Sequence, residues 1–165
     1  MTFSELMNTL FTGTNLALLG AALAVIFTGI GSAKGVGMVS EASAGLLSVD
    51  PDKFGKALVL QALPATQGIY GFVIAFLIAV MKLQIFSGAP VELTIGQGMY
   101  LLVSALPIAI AGWASAVKQA RVAAAGISVL GKRPEAVGKA IISAALVELY
   151  AILSFLISIL LVLSF

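Results

Sequence analysis

Apolar residues run through this chain in four long stretches, and the charges fall between them. Nothing is charged between Glu5 and Lys34, between Lys56 and Lys82, or between Glu92 and Lys118, and after Lys139 the only charge is Glu148. A helix needs about 20 apolar residues to cross a hydrocarbon core of roughly 30 Å, and each stretch reaches that length. The breaks carry turn chemistry: Ser48-Val49-Asp50-Pro51-Asp52, Phe86-Ser87-Gly88-Ala89-Pro90 and Gly131-Lys132-Arg133-Pro134. The pattern predicts four helices, at about 13–47, 54–84, 92–130 and 135–164. The expected fold is an all-α membrane protein of two tandem helical hairpins, residues 1–85 and 86–165.

A repeat supports that division. Sliding the chain by about 83 residues lays Asp50-Pro51-Asp52 on Arg133-Pro134-Glu135 and Gly55-Lys56-Ala57 on Gly138-Lys139-Ala140. Gly29 falls on Gly112, and Ser32-Ala33 on Ser115-Ala116. Roughly a third of positions agree between residues 18 and 77 and their shifted partners. A parallel duplication of one hairpin is the simple reading.

Composition narrows the function. The chain is 61% hydrophobic and 10% charged with a mean hydropathy of +1.14, too apolar to be covered by a water-facing shell. A net charge of +2 with no basic run offers nothing to nucleic acid. Histidine and cysteine are absent, which removes thiol chemistry, imidazole bases and His/Cys zinc sites. No basic segment precedes the first apolar stretch, so the first helix is expected to be retained rather than cleaved as a signal.

The first and third helices would exceed about 50 Å at ~1.5 Å per residue, so one end should project from the bilayer. Eight of the nine basic residues lie toward the loops near 48–53 and 131–134, and only Lys82 lies on the other side. The positive-inside rule puts those loops in the cytoplasm and both termini outside. Small residues on the first helix (Gly29, Gly31, Gly35, Gly37) and the third (Gly112, Ala116, Ala120) allow close backbone approach, with the second and fourth helices outside.

Glu148 is the candidate for chemistry. It lies midway along the fourth helix, where an ionisable group costs on the order of 3 kcal/mol unless protonated, paired or bound to a cation. Its counterpart in the first hairpin is Ala65, so only one hairpin carries a carboxylate. Thr66, Gln67 and Tyr70 on the second helix and Gln119 on the third stand at about the same depth. Pro64 lacks an N–H and clashes one turn back, which frees carbonyls near Leu60 and Leu63. Carboxylate, amide, hydroxyl and carbonyl oxygens together suit a hard cation, whereas a proton needs only the carboxylate.

Four segments carry a family resemblance: Gly29-Ile30-Gly31-Ser32-Ala33-Lys34-Gly35-Val36-Gly37, Leu63-Pro64-Ala65-Thr66-Gln67-Gly68-Ile69-Tyr70-Gly71, Arg121-Val122-Ala123-Ala124-Ala125-Gly126 and Val147-Glu148-Leu149-Tyr150-Ala151. The chain resembles the proteolipid rotor subunits (K, or c, type) of V-type and A-type ATPases, especially the sodium-transporting bacterial form. The resemblance covers essentially the whole chain. It implies a homo-oligomeric ring in which each copy carries one Na⁺ (or H⁺) on its carboxylate. By that resemblance the ion is held by Glu148, Thr66, Gln67, Gln119 and the carbonyl of Leu63, with Tyr70 hydrogen-bonded to the carboxylate. It further implies membrane lipid, a stator subunit supplying half-channels and a basic residue, and central stalk subunits at the cytoplasmic loops. The expected setting is the bacterial plasma membrane. The sequence departs from the family at Ala65, where close relatives carry glycine, and at Lys118, a positive charge beside Gln119. No phosphate-binding loop is present, so ATP hydrolysis is expected on partner subunits. A proton-carrying rotor, a passive pore and a purely structural membrane protein are the alternative readings. The first shares all the site residues, and the absence of a continuous polar stripe along any helix argues against a pore.

Overall fold

The computed structural model describes residues 2–89 and 91–165; Pro90, in the turn expected between the hairpins, lies outside them. Five helices follow one another: α1 (Phe3–Leu10), α2 (Gly13–Leu47), α3 (Pro51–Lys82), α4 (Ile95–Lys132) and α5 (Pro134–Leu163). The last four are each long and apolar enough to cross a membrane. They correspond to the four expected helices with ends moved by a few residues. Pro51 and Pro134 each head a short 3-10 turn that leads into α3 and α5. Proline is at home there, because the first amides of a helix have no intrahelical acceptor to lose.

α1 is an addition that the sequence pattern did not predict. Thr2 and Glu5 form a capping box: the Thr2 amide donates to Glu5 Oε2 at 2.7 Å and the Glu5 amide to Thr2 Oγ1 at 3.2 Å. Thr12 then restarts the chain as α2 by accepting the Asn15 amide at 3.1 Å. Eight residues are too few for their periodicity to stand out beside a 35-residue helix.

α2 and α4 run side by side, and their backbones nearly touch. A Cβ on Gly20 would stand 2.6 Å from Leu102 Cα, and one on Gly31 would stand 2.9 Å from Trp113 Cα. Side chains larger than hydrogen would push these helices apart, so glycine sets the distance. α2 and α4 bury more of their surface than α3 and α5, the inner layer expected from the small residues. The buried positions of α5 form a narrow stripe, Val137, Ala144, Ala151 and Ser158 at seven-residue intervals and then Val162 one turn on.

The bundle interior has three levels. One apolar cluster gathers Ala17, Ala21, Ile74, Ile78, Leu101 and Ile108. A second gathers Val39, Leu60, Ala120, Ala123, Ile127 and Leu130. Between them lies a buried polar layer of Thr28, Ser32, Gln67, Ser115 and Gln119.

Three irregularities interrupt the long helices. Residues Leu63–Ala65 tighten into a 3-10 turn around Pro64. Leu77–Lys82 widens into a π turn. Pro107 sits inside α4, and the Ile108 amide there donates to Ser158 Oγ of α5 at 3.2 Å. A hydroxyl supplied by a neighbouring helix is how a membrane helix tolerates an internal proline.

The contact at Gly20 predicts its own cost. Gly20→Val should destabilise the bundle by about 2–3 kcal/mol, because backbone rather than a mobile side chain blocks the new atoms. Gly138→Ala, with no heavy atom within 4 Å of the added Cβ, should be neutral or gain up to about 1 kcal/mol of helix propensity. Thermal unfolding of the two purified variants in detergent compares them, and equal midpoints would refute the close-packing account.

Candidate functional site

Pro64 starts the construction of the site. With no N–H to give, it forces α3 through the 3-10 turn Leu63–Ala65, and the α-helix resumes at Thr66. The Leu63 carbonyl accepts both the Thr66 amide and the Thr66 hydroxyl, the latter at 3.0 Å. Gly68 lies in the first turn of the resumed helix, where amides lack a full set of intrahelical acceptors. Its N–H donates instead to Ser32 Oγ of α2 at 2.9 Å. The break therefore turns polar groups inward, and α2 catches one of them.

Close approach makes this possible. A Cβ on Gly35 would stand 2.8 Å from Pro64 Cβ and 3.2 Å from the Ala116 carbonyl, so α2, α3 and α4 converge at this level. Gln67 and Gln119 are completely buried there. Gln67 Nε2 donates to Gln119 Oε1 at 2.7 Å, and Gln119 Nε2 donates to Glu148 Oε2 at 3.2 Å. The Tyr70 hydroxyl donates to the other carboxylate oxygen, Glu148 Oε1, at 2.7 Å. Thr66 Oγ1 lies 3.4 Å from Gln67 Oε1, which ties Leu63 and Thr66 into the same chain of contacts.

All six residues singled out in the sequence thus meet at one level, drawn from α3, α4 and α5. Glu148 is half-buried at the edge of the bundle, on α5, the most exposed of the four long helices. Tyr70 is held in place by stacking on Phe155 of α5, ring centroids 5.1 Å apart. The arrangement gives the carboxylate two donors and sets hydroxyl, amide and backbone oxygens beside them. It can hold a protonated or cation-neutralised carboxylate at membrane depth.

Two contributors were not named as site residues from sequence. Ser115 Oγ donates to the Val147 carbonyl at 3.0 Å, just before Glu148, and lies 3.4 Å from Gln67 Nε2. Ser32 performs the service for Gly68 described above. The signal was present, since Ser32 and Ser115 are equivalent across the repeat, but two serines among many on apolar helices do not announce a role. Lys118 is exposed and makes no ion pair among the described residues, where Lys53–Asp50 is the only one.

Two stretches, residues 19–78 and 102–161, match the family model of the ATP synthase C-subunit. The chain belongs to the ATP synthase C-subunit family. Both ends of the two matched stretches are 83 residues apart (102 − 19 and 161 − 78), so the duplication read from the sequence is two copies of the family's unit. The chain is similar to the V-type sodium ATPase subunit K of Enterococcus hirae, 54% identical over 92% of this chain and 93% of that protein. It is also similar to the A-type ATP synthase subunit K of Methanocaldococcus jannaschii, 38% identical over 88% of this chain and 61% of that protein. As a member of the C-subunit family it is a non-catalytic, multi-pass membrane rotor proteolipid, and ATP hydrolysis takes place on other subunits.

The Ser32–Gly68 bond generates a prediction. Ser32→Ala leaves a part-buried amide without its acceptor and should cost about 1–3 kcal/mol. Thermal unfolding in detergent measures it. A midpoint equal to that of the unaltered protein would mean that Gly68 has another acceptor.

Proposed function

We propose that this chain is the ion-carrying subunit of a V-type ATPase rotor ring, binding one Na⁺ at Glu148 and coupling ring rotation to ion translocation. The observation that carries the reading is a carboxylate at mid-bundle that accepts hydrogen bonds from Tyr70 and Gln119 within reach of further oxygens. A structural protein has no use for that assembly at such desolvation cost. The ion's ligands are Glu148, Thr66 Oγ1, Gln67 Oε1, the Leu63 carbonyl and Gln119, an all-oxygen set that suits a hard cation. Gln119 donates its amide nitrogen to the carboxylate, and its Oε1, which accepts from Gln67 Nε2, is the oxygen it offers the ion. Tyr70 fixes the carboxylate orientation. The name of the Enterococcus relative supports sodium as the cargo.

The two hairpins, 1–85 and 86–165, act as one unit with one site. With Na⁺ bound the Glu148 site is neutral and passes lipid without the penalty of a bare charge. A stator subunit supplies two aqueous half-channels and a basic residue, where the ion leaves and another enters. A membrane potential contributes about 2.3 kcal/mol per elementary charge per 100 mV to that exchange. The loops near 48–53 and 131–134 face the cytoplasm and meet the central stalk, the termini lie outside, and the setting is a bacterial plasma membrane.

A second reading, a proton carrier, is favoured by one observation. The direct Gln119–Glu148 hydrogen bond satisfies the carboxyl without any cation. Carbodiimide labelling of the purified protein separates the two, because the reagent attacks protonated carboxyls. Glu148 should label selectively, with Na⁺ suppressing the reaction; labelling that follows pH and ignores Na⁺ makes this a proton rotor. Glu148→Gln should abolish coupled transport in proteoliposomes while leaving an assembled ring, and transport retained in that variant would refute the central role of the residue.

A further inference from the structure

The duplication leaves two copies of one packing surface, and the protomer uses only one of them. Inside the protomer the α2–α3 hairpin receives α4. Gly112 lies against Thr28, Trp113 against Gly31, and Ala116 and Ala120 against Gly35. Shifted by 83 residues, the receiving surface recurs on the α4–α5 hairpin as Ala111, Ala114 and Lys118. Those three residues, with Ser115, Val147 and Tyr150, line an open groove of about 350 Å³. Shifted the other way, the inserted face of α4 recurs on α2 as Gly29, Ile30, Ala33 and Gly37. A Cβ on Gly29 or Gly37 would meet nothing within 4 Å.

Charge marks the same two surfaces as partners. Met38 and Ala124 both pack against the core cluster that joins α2 to α4 within the protomer. Their counterparts across the repeat are Arg121 and Glu41, of opposite sign. Both are exposed and, among the described residues, neither forms an ion pair. Lys118 stands one turn from Arg121 and is the counterpart of Gly35, whose neighbour Ala120 corresponds to Gly37. A glycine at 37 leaves room for the lysine stem, and Glu41 lies one turn further along. Charges along a membrane-spanning helix carry a desolvation cost unless they are paired.

We propose that the α4–α5 groove of one copy receives α2 of the next, and that Glu41 of the incoming helix pairs with Arg121, with Lys118 alongside. The contact repeats the internal α2–α4 packing and sets charges of opposite sign at the positions that correspond to Met38 and Ala124. It gives Lys118 a partner other than the Glu148 site. The inference rests on the ring assembly proposed above and adds the residues that hold the ring together.

The chain has no cysteine, so introduced thiols are the only ones present. Gly29→Cys combined with Ala111→Cys, the repeat's image of the Gly112–Thr28 contact, should give a ladder of disulfide-linked multimers when membranes holding the assembled protein are oxidised. Glu41→Arg and Arg121→Glu singly should each lower the fraction of intact ring on a ring-preserving gel by tenfold or more, and the two together should restore it. Intact rings without the ladder and indifferent to charge reversal would overturn this interface while leaving the ring reading standing. Single reversals that abolish the ring, with no restoration in the swap, would count against the pair itself. An unaltered protein that is monomeric by native mass spectrometry would overturn the ring reading and this inference with it.

Discussion

An acidic side chain placed midway through a membrane-spanning helix must be satisfied by groups from outside that helix, and the arrangement around Glu148 follows from that requirement. Its own helix has already used its backbone donors. The Tyr70 hydroxyl and Gln119 amide come from α3 and α4, and Gln67 in turn orients Gln119. For these long side chains to reach one point, three helices must come unusually close. That closeness is set by Gly35 against Pro64 and Ala116. Pro64 does double duty, since the same residue that packs on α2 also breaks α3 and points Thr66 and Gln67 toward the interior.

The polar layer is held between two apolar clusters, one toward each end of the bundle. Their packing supplies rigidity that the polar groups could not supply alone, because a hydrogen-bond network in low dielectric is valuable only while every member is satisfied. No buried side-chain nitrogen or oxygen among the described residues lacks a partner. Gln67 and Gln119 are satisfied by each other, by Ser115 and by Glu148, while Ser32 accepts from the Gly68 amide and Thr28 turns its hydroxyl to the Ala24 carbonyl.

Much of the architecture was legible along the chain because membrane helices obey a simple length and charge rule. The helices expected from the apolar stretches and the turn residues between them coincide with α2 to α5 to within a few residues, and the 83-residue repeat coincides with the two family units. The cluster around Glu148 was legible because polar side chains on apolar helices are few and their depths can be counted. What stayed hidden depends on contacts across the bundle. Ser32 and Ser115 matter only because of which backbone groups they face. Pro107 is tolerated through Ser158, 50 residues away in sequence, a pairing that no local pattern contains. The π turn at Leu77–Lys82 likewise has no composition of its own, and α1 is too short for its periodicity to register.

Ala65 stands where the second hairpin has Glu148, so one of every two equivalent positions carries no carboxylate. In a ring of such chains, successive carboxylates are separated by four spanning helices rather than two. For a ring of given circumference that halves the number of such carboxylates passing a fixed point in each revolution, and doubles the angle between them. On the proposed ion-carrying role of Glu148, the work of one turn is then divided among fewer, larger strides. Losing a single acidic residue from one hairpin amounts to a change of gear.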